Sequence, residues 1–87
     1  MKKRELPQAV RKLVDALHRE LNADVDVEAL SRPARYRLAV VSDRFSRMSP
    51  RRRQDLLWKI ADRELTREDV LKISLMLAYA PKELQAA

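Results

Sequence analysis

Eighty-seven residues, 46 % hydrophobic and 37 % charged, are enough for one small packed domain over 1–87 and leave no room for a second core. The formal charge of +6 favours anionic partners. With no cysteine there is no disulfide, thiol nucleophile or cysteine-held metal, and with no glycine there is no phosphate cradle or dinucleotide turn of the kind that needs a residue without Cβ.

Residues 1–5 read as a flexible basic tail, Met1-Lys2-Lys3-Arg4-Glu5. Glu5, Pro7 and Gln8 interrupt any apolar stretch there, so a signal peptide is not expected. No apolar run approaches the ~20 residues of a membrane helix, and a cysteine-free chain fits a reducing cytoplasm. Leu6, Val10, Leu13, Val14, Leu17 and Leu21 then recur at helical spacing, with Pro7 where a first turn tolerates it, which predicts a helix over 7–21. His18 lies on the flank of that apolar arc. Without a second histidine or a cysteine it is expected to be an ordinary surface residue, not a metal ligand.

After Asn22 the period changes to two. Ala23, Val25, Val27 and Ala29 alternate with Asp24, Asp26 and Glu28, the pattern of a strand with one wet face. Ser31-Arg32-Pro33-Ala34 reads as a turn, and Tyr36, Leu38 and Val40 belong to a second strand. The two should form an antiparallel hairpin with cross-strand ion pairs from Arg35 and Arg37 to the acids of the first.

The second strand runs into a polar corner, Ser42-Asp43, and then into the most basic part of the chain. From Arg44 to Arg53 there are five arginines and no acid. Ser49-Pro50 is a good helix start, and Leu56, Leu57, Ile60, Ala61 and Leu65 predict a helix over 50–65. At 100° per residue Arg53 and Glu64 fall inside its apolar arc and Trp58 at its margin, while Arg51, Arg52, Asp55, Lys59, Asp62 and Arg63 face outward. Phe45 is expected to plug the core. Phe45, Arg53 and Trp58 are therefore structural, and Arg44, Arg47, Arg51 and Arg52 form the outward basic set.

Beyond Leu65 two patterns compete. Thr66-Arg67-Glu68-Asp69 resembles a capping box that would open a helix. Leu71, Ile73, Leu75, Leu77 and Tyr79 instead alternate with Lys72, Ser74, Met76 and Ala78. Period alone does not decide, but the length of the alternation favours a strand, parallel to the second through the helical crossover. Pro81-Lys82-Glu83-Leu84 opens a short last helix. The expected class is α+β in the order helix, strand, strand, helix, strand, short helix, with a three-stranded mixed sheet packed by helices. If 67–80 is helical, the fold is mostly α.

This order is similar to the class II KH-like arrangement. Val40-Val41-Ser42-Asp43-Arg44-Phe45 before a basic helix start, Arg53, Arg63-Glu64-Leu65 and the tail Ala78-Tyr79-Ala80-Pro81-Lys82-Glu83-Leu84 resemble the BolA family. The resemblance spans about 36–84, with the first helix and strand fitting in pattern only. It implies a non-enzymatic regulator linked to transcription and stress response, with a helix-turn-helix-like corner that binds DNA. It also implies a monothiol glutaredoxin as partner. The chain departs from the family at four places. Arg47 stands where a glycine is usual, Gln54 where a histidine follows the arginine, and Lys72 where a histidine helps hold an iron–sulfur cluster. The turn over 31–35 offers no histidine or cysteine. A lysine, protonated at neutral pH, is not a usual cluster ligand. No cofactor is therefore expected and no cluster role is carried onto a residue.

Catalysis lacks its usual residues. Nucleic-acid binding, DNA ahead of RNA, leads through phosphate contacts by Arg44, Arg47, Arg51 and Arg52. A solvated basic patch that keeps the domain soluble is the plain alternative. From another class comes a protein-interaction adaptor, either glutaredoxin-linked or a homodimer through an open sheet edge near Lys72, Tyr79 and Gln85-Ala86-Ala87.

Overall fold

The computed structural model of the protein describes residues 6–30 and 35–85. The expected basic tail over 1–5, the turn at Ser31-Arg32-Pro33-Ala34 and the final Ala86-Ala87 lie outside them, as does the side chain of Gln85.

Helix α1 spans Gln8–Leu21, strand β1 Asp24–Leu30 and strand β2 Arg35–Val41. A 3₁₀ turn over Asp43–Arg47 leads to helix α2, Pro50–Glu64, followed by the single turn α3, Arg67–Val70. Strand β3, Ile73–Tyr79, and the short helix α4, Pro81–Gln85, complete the order. The α+β class and the element order are those expected from the pattern of the sequence.

Helix α1 buries Val10, Leu13, Ala16, Leu17 and Leu21, one stripe at helical spacing. It ends at Asn22, whose φ of 50° is the only positive value among the described non-glycine residues. Its N–H donates to the His18 carbonyl at 3.0 Å. Helices commonly close with glycine in this left-handed conformation, and in a chain without glycine asparagine is the residue that tolerates it best.

The sheet has the order β1-β2-β3, with β1 antiparallel to β2 and β3 parallel to it. The antiparallel register sets Glu28 opposite Arg37, and the two form the expected cross-strand ion pair. Leu38 and Val40 of β2 are buried with Phe45, Leu57, Ile60 and Met76 under α1 and α2. Arg63 of α2 pairs with Glu20 of α1 and with its neighbour Glu64.

Both patterns read beyond Leu65 have a place. Thr66 accepts from the Asp69 N–H at 3.1 Å and caps α3, but the helix stops after one turn and the chain continues as β3. The pairing with β2 slips between Tyr36, which faces Ile73, and Arg37, which faces Leu75. Ser74 is the extra residue of this bulge. A bulge reverses which side chains point inward. Ile73 and Met76 are therefore buried, while Leu75, 42 % exposed, stands on the opposite face in line with Leu77 and Tyr79. The alternating apolar set read from the sequence is thus split at Ser74, and Leu71, at 67 % exposure, lies outside the core.

Candidate nucleic-acid interface

The corner between β2 and α2 is built on Ser42. Its hydroxyl donates to the Leu21 carbonyl at 2.6 Å and accepts from the Arg44 N–H at 3.1 Å, and its own N–H donates to the Tyr79 carbonyl at 3.0 Å. One small buried residue therefore joins the end of α1, the start of the 3₁₀ turn and the end of β3. A larger or apolar side chain would leave the last carbonyl of α1 without that partner.

Phe45 is fully buried, as its place in the sequence implied. Arg53, only 8 % exposed, lies with its guanidinium 5.8 Å from the Phe45 ring centroid. Its Nε donates to the Met48 carbonyl at 3.0 Å and Nη1 to the Ala78 carbonyl at 3.3 Å. Nη1 and Nη2 together grip Glu83, each at 2.8 Å. Arg53 therefore ties the start of α2 to β3 and α4. Its hydrogen bond to Glu83 raises the guanidinium pKa further, against a smaller effect of burial. Glu83 moves the other way. The Arg53 hydrogen bonds, with help from the Ala80 N–H, lower its pKa from 4.5 to about 2.

Trp58 is half-buried at the margin of the apolar arc, and its Nε1 donates to Gln54 Oε1 at 3.2 Å. Gln54 Nε2 donates in turn to the Met76 carbonyl at 2.8 Å. The position read as a departure from the family thus has both polar ends of its side chain engaged within the fold.

This frame aims four arginines outward. Arg44 and Arg47 lie three apart on the 3₁₀ turn, a spacing at which side chains eclipse one another and share a side. Arg51 and Arg52 stand on the first turn of α2, which carries no acid. All four are exposed, and none has an acidic partner within 4.0 Å among the described residues. Asp43, exposed at the beginning of the 3₁₀ turn, is the nearest acid in sequence.

The helix start itself contributes less than its sequence suggests. Pro50 has no N–H, the Arg52 N–H is taken by Ser49 Oγ at 3.2 Å, and the Arg53 N–H by the Ser49 carbonyl at 3.0 Å. Only the Arg51 N–H of this turn is left for an anion. Phosphate binding here rests on side chains.

Ser42 and Glu83 were not singled out as site residues by sequence reasoning. For Glu83 a local signal existed, because a glutamate at the third helical position after Pro81 reaches back to the Ala80 N–H at 3.0 Å, half of a capping box. Nothing local reveals its pairing with Arg53, which lies thirty residues away. Among the described residues no group of histidine, cysteine and carboxylate side chains is placed to hold a metal ion. Lys72 donates to Asp69 at 3.1 Å.

The architecture is the BolA fold. A structure of BolA1 from Arabidopsis thaliana superposes with a TM-score of 0.72 at 18 % identity, over 90 % of this chain and 98 % of that one. The BolA domain of SufE1 from the same plant gives 0.67 at 23 % identity over the same shares. A bol-like protein from Babesia bovis gives 0.59 at 17 %, covering 87 % of this chain and 88 % of its own. No protein-family model and no curated protein matches the sequence. The likeness is one of fold.

Proposed function

We propose that this chain is a BolA-like, non-enzymatic regulator of the cytoplasm that binds nucleic acid, DNA ahead of RNA, through Arg44, Arg47, Arg51 and Arg52. One observation carries the reading: four exposed arginines on two adjoining elements, without an acidic partner among the described residues. Guanidinium groups bind phosphate oxygens in a planar fork, and such contacts set affinity more than sequence preference. Base readout has no support in the corner, and single-strand clamping of the KH kind lacks its glycine loop.

Affinity measured against salt tests the proposal. Four phosphate contacts give a log–log slope of about −4 on duplex DNA, and Arg51→Ala with Arg52→Ala should reduce it to about −2. An unchanged slope in the double variant would sink the assignment and leave the arginines as a solubilising patch.

A second reading, a protein-interaction adaptor, draws on the similarity to a BolA domain that is part of SufE1. Its partner would be a monothiol glutaredoxin or a second copy of this chain. Mixing with cluster-loaded glutaredoxin and recording the visible spectrum checks the first. An unaltered spectrum rules out the cluster-linked form.

A further inference from the structure

The sheet has two unlike edges. On β3 the outward carbonyls of Met76 and Ala78 accept from Gln54 and Arg53, and the Ala80 N–H donates to Glu83. Side chains of α2 and α4 occupy this edge, which blocks the pairing of another strand there. β1 lies at the other end of the sheet order, with no further strand beside it among the described residues.

β1 also carries Asp24, Asp26 and Glu28 at alternate positions on the face turned away from α1 and α2. Glu28 is paired with Arg37, but Asp24 and Asp26 have no cationic partner within 4.0 Å among the described residues. Beside them a groove of about 310 Å³ runs over Ala39, Val41 and Tyr79 to Leu84, which is 51 % exposed. Among the described residues an edge strand without a further neighbour thus carries two unpaired carboxylates, with the groove on their β2 side.

We propose that this edge takes up an extended segment of a partner protein with lysine or arginine at alternate positions, which pairs with β1 as a fourth strand. Side chains at alternate positions of an added strand lie on one face, beside Asp24 and Asp26. Their charged heads meet the carboxylates across the new strand pair. Charge selects the occupant. Pairing β1 with β1 of a second copy would set acids against acids, which is unfavourable across strands. A chain of net charge +6 repels cationic segments in general, so their capture needs a local group of carboxylates such as this one.

The inference deepens the adaptor reading and rests on it, while leaving the arginine corner free. Its probe is a synthetic peptide of alternating lysine and valine, titrated into the isotope-labelled full chain, with a glutamate–valine peptide as control. The amide signals of 24–30 should shift with the lysine peptide alone. Asp24→Asn with Asp26→Asn should weaken binding about fivefold. Both positions are exposed, so the variant is expected to fold. Equal affinity for the asparagine variant, shifts confined to other elements, or a dimer in which a second copy covers β1 would each overturn the proposal. If the peptide fails to bind while glutaredoxin's spectrum still changes on mixing, this inference falls and the adaptor reading stands.

Discussion

Arg53 shows how far one side chain reaches in a small fold. Its guanidinium serves two carbonyls and a carboxylate, so truncation removes these bonds and leaves the carbonyls of Met48 and Ala78 without their donor. Arg53→Ala should cost about 2–3 kcal/mol in urea unfolding. Arg53→Lys should recover only part of that, because an ammonium cannot reproduce the planar fork. Equal stability of the lysine variant and the parent would show that charge alone matters. Glu83 makes the same contact pH-dependent. Its pKa falls from 4.5 to about 2 on folding, so the stabilisation is complete above about pH 4.5 and is lost as the pH drops towards 2. Glu83→Gln should flatten that part of an acid titration followed by circular dichroism. An unchanged profile would assign the acid sensitivity to other carboxylates.

At the scale of elements, β3 owes its outer edge to α2. Gln54 is the hinge of this arrangement, since it holds both the Met76 carbonyl and the Trp58 indole. Gln54→Ala should lower stability by about 1 kcal/mol and shift Trp58 emission to the red as water replaces the amide. Fluorescence that stays the same would mean the indole keeps its surroundings without Gln54. The bulge at Ser74 matters as much for the other side of the sheet. By turning Leu75, Leu77 and Tyr79 away from the helices, it builds the apolar part of the open face.

Over the whole molecule, function and stability pull the arginine corner in opposite directions. Cations at a helix start oppose the helix dipole, and Arg51 and Arg52 also repel Arg44 and Arg47. Arg51→Ala with Arg52→Ala should therefore raise unfolding stability by about 0.5 kcal/mol while weakening nucleic-acid binding. Parallel losses of both would show that the two side chains are structural.

The same contrast of local and distant effects explains what could be read from the sequence. α1 and α2 were legible because each buries a stripe set by its own period. Strands β1 and β2 were legible by alternation, and the inward position of Arg53 by helical geometry. The inward set of β3 was not, because the slip at Ser74 exists only in its pairing with β2. The reduced number of free N–H groups at Pro50 was foreshadowed by proline itself, but Ser49's hold on Arg52 completes it. The four outward arginines named from the sequence are all exposed, yet the carboxylates of β1 gained their interest only once the sheet order and the groove were placed beside them.

The unequal edges also set a valence. A sheet with two bare edges can extend in both directions, copy after copy, into a filament. Here Arg53, Gln54 and Glu83 stopper one side, so any growth of the sheet is confined to the β1 side. Copies of this chain should therefore not stack edge to edge in both directions, a limit imposed by three side chains at the opposite edge.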